Sequence, residues 1–447
     1  MRILSITAGA AGMYCGSCAR DNSLAAELIA QGHDVTLIPV YTPTRTDEPN
    51  MSRQRILFGG ISVYLQQHVA LFRRTPRFLD RLWDSPGVID AFAGRAVSPV
   101  SNDPHLLGGL TLSMLRGEGG PLRKEFDKML DWLRQEPPPD VVNIPNSLLI
   151  SLAAPLRRAL GRPVCCTLQG EELFIDGLTD PYRAQAIEMI RRQVPQIDRF
   201  IAVSDYCARF MSEFLAIPRD KIAVVPLGIN MAGYERRTRL SAPRTEEDGS
   251  FRIGYFARIG PEKGLRVLAD AYARFRQKTG QARARLEAAG YLAPDNEAYM
   301  RDVRSTLEKA GLAAEFTYHG VVDRKGKLAF LQSLDVLSVP ATYDEPKGMF
   351  LLEAMANGVP VVQPRRGAFP EIVERTGGGL LVDPDDPDKL AEGLFTLWAN
   401  REMAETLAQQ AYQGVRAHYT VAHAAERLLG VYNDVLRSKE IVGSLKT

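Results

Sequence analysis

The strongest constraint on this chain is a repeated alternation of short apolar runs with amphipathic helical stretches, interrupted once near the middle. Arg2–Thr7 is a strand-length apolar run. Residues 22–31 follow, with Leu24, Ala25, Leu28 and Ile29 on one helical face, and Gly32-His33 ends that helix. Residues 34–41 (DVTLIPVY) form the next strand. A strand, helix and strand joined by short connections specify a parallel pair with a crossover helix. The same pattern predicts strands at 140–144, 163–168, 199–203 and 221–226, with helices at 147–160 and 205–214.

Residues 230–250 break the pattern. They are polar and charged, with no apolar period, and read as a linker. The alternation then restarts. Strands are expected at 251–256, 284–289, 316–319, 335–339 and 359–363, with helices at 264–277, 345–357 and 387–400. Residues 421–436 read as a last helix that docks through Ala424, Leu428, Leu429, Val431, Tyr432 and Val435. The expectation is two α/β domains, 1–229 and 251–415, each with ligand-binding loops at the carboxyl ends of its strands.

Composition narrows the function. The 447 residues are 45% hydrophobic and 24% charged, a globular mix that excludes a disordered chain, a fibre or a small disulfide scaffold. Lys+Arg at 55 against Asp+Glu at 53 leaves a net charge of +2, so no overall field favours nucleic acid. No apolar run reaches membrane-spanning length. The first twelve residues have too short an apolar stretch for a secretory signal. The five cysteines are Cys15, Cys18, Cys165, Cys166 and Cys207, an odd and sparse set that suits a reducing compartment, with the cytoplasm as the default. Residues 45–130 are the least legible. Arg73, Arg74, Arg77 and Arg81 beside Phe72, Phe78 and Trp83 read as a lid or insertion with solvated arginines. A basic, aromatic helix on the inner face of a membrane is the other option, although Pro76 interrupts it.

Three stretches could carry chemistry. The turn after the first strand, residues 8–20, is glycine-rich and opens a helix, an arrangement suited to a diphosphate or to a plain tight turn. Cys15-x-x-Cys18 within it could be a redox pair, or could join Cys165 and Cys166 around zinc. Adjacent cysteines on a strand face opposite ways, which argues against shared ligation. In the second stretch, Ala257 to Gly264, Arg258 and Lys263 could converge on one anion or be ordinary surface charges. The third, Asp344 to Ala356, places Glu345 and Glu353 eight apart. On one helix they would share a face about 12 Å apart, able to hold two ends of a ligand. Gly367 to Glu371 and Gly377 to Gly379 read as close-approach loops on the same rim.

These pieces, in this order, resemble the retaining glycosyltransferases of the GT-B fold, and specifically glycosyltransferase family 4. The likeness is carried by Cys15-Gly16, by Ala257-Arg258 to Lys263-Gly264, by Glu345 to Val362 (E-x7-E-A-M-A-N-G-V-P-V-V), and by Gly367 to Val373. It implies two Rossmann-like α/β domains facing each other across a cleft. It implies that 416–447 returns to the N-terminal, acceptor-side domain, and that 251–415 binds the nucleotide sugar. It also implies roles. Arg258 and Lys263 hold the donor diphosphate, and Glu345 lies at the donor sugar. The backbone of Lys347, Gly348, Met349 and Phe350 grips hydroxyls and phosphate. Glu353 holds the ribose, and Gly16 lies beside the diphosphate. The implied activity is metal-independent, retaining transfer of a hexosyl unit from a nucleotide diphosphate sugar to a glycan, lipid or small molecule. No cofactor or metal is required, because the two cations take that part. A sucrose- or starch-synthase-like glucosyltransferase and a catalytically weak sugar-nucleotide binder are the alternatives.

Three departures stand out. Cys15 replaces the first glycine of a loop pair, and Lys347 stands where many relatives have phenylalanine. Gln169 stands where many have a histidine near the donor sugar, and a glutamine there can donate a hydrogen bond but cannot carry a proton.

Overall fold

The computed structural model describes residues 1–9, 16–44, 46–53, 104–236, 249–280 and 282–444. Cys15, the arginine-rich part of 45–130 and most of the expected linker lie outside the described residues.

The chain forms two compact units, Met1–Pro226 together with Ala424–Thr447, and Leu227–His423. The first is built on six parallel strands: β1 (Arg2–Thr7), β2 (Asp34–Pro39), β3 (Val141–Ile144), β4 (Val164–Leu168), β5 (Arg199–Ala202) and β6 (Ile222–Val224). Their order is β2-β1-β3-β4-β5-β6. Val141, Val142, Ile144, Val164, Cys165 and Cys166 are buried, the near-continuous apolar run expected of strands covered on both faces. The expected helix at 147–160 is tighter at its start: Ser147–Leu152 is 3₁₀ and Ala153–Leu160 is α. The last helix, Val421–Ser444, packs into this unit from Ala424 onward. Ala425, Leu428 and Tyr432 are buried, and Lys439 pairs with Asp198 at 3.0 Å.

The second unit also has six parallel strands: β7 (Phe251–Phe256), β8 (Ala284–Ala289), β9 (Phe316–Tyr318), β10 (Val336–Leu337), β11 (Val361–Pro364) and β12 (Gly379–Val382). Their order is β12-β11-β10-β7-β8-β9. The direction of winding reverses between β7 and β10, which makes the carboxyl ends of those two strands the place where a ligand fits. The unit runs to His423, past the expected 415, because the helix Arg401–His418 continues through that point.

Two local expectations fail for clear reasons. The helix expected at 345–357 begins only at Met349, because Gly348 takes a left-handed conformation (φ 78°) at its N-cap. Glu345 therefore lies in the preceding loop, and the two glutamates do not share a helix face. Gly377–Gly379 is not on the ligand rim. Gly377 ends the helix Phe369–Thr376 with φ 67°, and Gly379 opens β12 opposite Val361, the first residue of β11. That is the amino edge of the sheet. A Cβ on Gly378 would sit 2.5 Å from the Ala411 backbone, so close helix packing explains the small residue.

Candidate active site

The loop after β7 is pressed against the loop after β10. Thr342 N–H donates to Glu262 O at 3.0 Å. Gly264 has φ 73°, and a Cβ there would lie 1.8 Å from Pro340 O, so only glycine permits this approach. The turn Pro261–Lys263 places the Lys263 side chain over the β10 loop.

There Lys263 Nζ pairs with Glu345 Oε2 and donates to Tyr343 Oη at 2.8 Å. The Tyr343 hydroxyl donates to the same Glu345 oxygen. Lys347 N–H approaches the other oxygen, Oε1, at 3.3 Å. Nζ also lies 4.9 Å from the Tyr343 ring centre and 5.7 Å from that of Phe350. Glu345 is 2% exposed. Burial alone would raise its pKa, but the charges of Lys263 and Lys347 and the bonds from Lys263 and Tyr343 outweigh it and hold the carboxyl at about 2. Its backbone is also fixed. Ala368 N–H donates to Glu345 O at 2.8 Å, and Gly367, with φ 55°, lies so close that a Cβ would come within 2.4 Å of that oxygen. Arg366 braces the same loop, reaching Asp385 at 2.5 Å and Asp344 at 3.8 Å.

Gly348 then starts the helix Met349–Ala356, whose first N–H groups have no intrahelical acceptor and whose dipole favours an anion. Glu353 is on the second turn. Its Oε1 accepts from Lys327 Nζ at 2.7 Å and from the Tyr234 hydroxyl at 3.4 Å.

The structure brings together Lys263, Glu345, the Lys347 backbone and Phe350. Arg258 is exposed and pairs with Glu262 at 2.5 Å, one helical turn along its own loop. Glu353 forms a separate group with Lys327. Gly16 and Gln169 belong to the other unit. Gly16 is the exposed first residue of the helix Gly16–Ala30, with open space where a Cβ would go. Gln169, 4% exposed, follows β4; its Nε2 donates to Pro145 O at 2.9 Å and its N–H to Glu171 Oε2 at 2.8 Å. Among the described residues its Oε1 is buried without a partner. Sequence reasoning missed Tyr343, Lys327 and Tyr234. Tyr343 had a signal, since it lies two residues before a motif glutamate. Lys327 and Tyr234 had none, because only the fold carries them to Glu353.

Cys165 and Cys166 are buried inside β4, and burial pushes both thiols well up, which makes them inert.

Two α/β units with all-parallel sheets, the second opening a charged site at its switch point, define the GT-B class. Likeness to solved structures supports this fold. Sucrose-phosphate synthase from Thermosynechococcus elongatus superposes with a TM-score of 0.68 at 17% identity, covering 98% of this chain and 100% of that one. Anabaena HepE, in complex with UDP and glucose, superposes with a TM-score of 0.67 at 16% identity, covering 97% and 99%.

The chain belongs to the family 4, group 1 glycosyl transferases. Residues 237–414 match Glycosyl transferases group 1, and residues 112–232 match Glycosyltransferase Family 4. Among curated relatives, the D-inositol 3-phosphate glycosyltransferase of Stackebrandtia nassauensis is 28% identical over 257 residues, 56% of each chain. The phosphatidyl-myo-inositol mannosyltransferase of Mycobacterium tuberculosis is 30% identical over 244 residues, 53% of this chain and 60% of that one. The chain thus spans a little over half the length of these relatives.

Proposed function

We propose that this protein is a retaining, metal-independent glycosyltransferase that moves a hexosyl unit from a nucleoside diphosphate sugar to a glycan, lipid or small-molecule acceptor. One observation carries this: a buried Lys263–Glu345 pair at the switch point of the second sheet, next to a helix N-terminus. A lysine and the free N–H groups of that helix suit a diphosphate, and a buried carboxylate held ionised suits the hydroxyls of a sugar. The UDP and glucose bound by HepE and the sugar chemistry in the relatives' names agree with that ligand class.

In the proposed reaction the glycosidic C–O bond to the diphosphate breaks, and the departing charge is taken by Lys263, by Arg258 after it leaves Glu262, and by the N–H groups of Met349 and Phe350. The acceptor oxygen bonds to the anomeric carbon from the same face, and its proton passes to the departing diphosphate oxygen. Glu345 and the Lys347–Gly348 backbone orient the sugar, and Glu353 takes the ribose hydroxyls. Gly16 and Gln169, on the first unit, are donor-binding residues in this reading. Gln169 contributes hydrogen bonding without a proton, through a carbonyl oxygen with room for a donor in its bonding pattern. The acceptor belongs to the first unit. A cytoplasmic protein that touches the inner membrane face through that unit fits this role. Among the described residues no helix is long and apolar enough to cross a membrane.

The test is turnover of a nucleotide sugar with the anomeric configuration of the product read by NMR. Retention, with turnover lost in Lys263→Ala and sharply reduced in Arg258→Ala, is expected. An inverted product, or full turnover in both variants, refutes the proposal.

A further inference from the structure

The Lys263–Glu345 pair has a third member whose role neither the motif nor the pair itself explains. Tyr343 stands on the β10 loop two residues before Glu345, so both side chains leave the loop toward Lys263. Its hydroxyl accepts from Lys263 Nζ at 2.8 Å and donates to Glu345 Oε2, while its ring lies 4.9 Å from the same ammonium. One oxygen thus ties a cation on the β7 loop to an anion on the β10 loop. The lysine side chain is long and freely rotating, and an ion pair alone leaves its ammonium several equivalent positions around a carboxylate. A hydroxyl bonded to both charges removes that freedom.

We propose that Tyr343 is a positioning residue. Its hydroxyl fixes Lys263 and Glu345 relative to each other, so that the ammonium meets the departing diphosphate while the carboxylate keeps the sugar oriented. The inference rests on the transfer reaction proposed above. The ring already packs on the ammonium, so Tyr343→Phe removes the oxygen and keeps the shape. Hydrogen bonds to charged groups are the strong ones, so losing this hydroxyl should lower kcat by about tenfold or more. Donor KM should change much less, because the backbone N–H groups and Glu353 still bind the nucleotide.

Two readouts test it. The first compares kcat and donor KM of Tyr343→Phe with the native protein, with thermal unfolding beside them. The second needs no substrate: the rate of acetylation of Lys263 by acetic anhydride, read by mass spectrometry, should rise several-fold once the ammonium loses its hydroxyl partner. A fall in kcat with little change in KM and melting temperature, together with faster acetylation, supports the inference. Unchanged kcat and acetylation overturn it. A raised KM or lowered melting temperature with kcat intact also overturns it, because that pattern marks a merely structural tyrosine. If the native protein turns over no nucleotide sugar, the transfer reaction itself fails, and the acetylation rate alone decides whether Tyr343 holds Lys263.

Discussion

Removing the Lys263 ammonium should make stability depend on pH in a way the native protein does not. The Glu345 carboxyl is held at about 2 against an ordinary 4.5, although burial by itself pushes it upward. A lowered folded-state pKa contributes stability that is fully present above pH 4.5 and is lost as pH falls toward 2. The displacement is worth about 3 kcal/mol at neutral pH. In Lys263→Ala the largest opposing charge is gone, and burial pushes the Glu345 carboxyl above its ordinary value. The sign then reverses: ionised Glu345 costs stability at neutral pH, and protonation on acidification relieves it. Breaking a buried pair by removing one partner costs about 3–5 kcal/mol. In a domain of about 150–250 residues, each 1 kcal/mol moves Tm by about 2–4 °C. Calorimetry of Lys263→Ala at pH 7.5 should therefore show one transition lowered by about 6–20 °C. The gap to the native protein should narrow steadily toward pH 4.5. Lys263→Ala with Glu345→Gln should recover much of the loss at pH 7.5, because the unpaired charge is gone. A loss of equal size at pH 4.5 and 7.5, with no recovery in the double variant, would refute this electrostatic account.

Two further outcomes follow from the geometry. Gly264→Ala places a methyl 1.8 Å from Pro340 O at a left-handed position, so the β7 and β10 loops must separate. A destabilisation of about 3 kcal/mol or more by chemical denaturation is expected, with turnover lost at temperatures where the protein stays folded. Lys327→Met removes the cation from Glu353 Oε1 and leaves Lys263 untouched. Donor KM should rise about tenfold in steady-state kinetics with kcat changed far less, since the carboxylate would no longer be held for the ribose.

Much of this architecture was legible because parallel sheets impose a simple code. Strands buried on both faces, such as PVCCTL and RIGYF, are short apolar runs, and crossover helices carry a one-sided apolar period. The strand Gly379–Val382 was missed, because two glycines before it look like a loop and none of its residues is fully buried. The helix boundary at Gly348 was misplaced because its left-handed φ is a property of the folded turn, whereas E-x7-E also fits a helix period. The site was legible as a set of residues but not as a set of partners. Lys263 and Glu345 lie 82 residues apart in sequence, and only the switch between β7 and β10 puts one against the other. Arg258, expected to converge with Lys263 on one anion, pairs with Glu262, the residue before Lys263. The contribution of Lys327 to Glu353 depends on where the helix Arg324–Ser333 packs, which no local pattern encodes.

The most direct test of the central claim, that the second unit binds a nucleoside diphosphate sugar through this site, is thermal stabilisation by UDP-, GDP- and ADP-linked sugars, with Glu353→Ala measured beside the native protein. Stabilisation by one nucleotide series, weakened in Glu353→Ala, is the predicted result. No stabilisation of the folded protein by any of them, or equal stabilisation of the native protein and the variant, would contradict it.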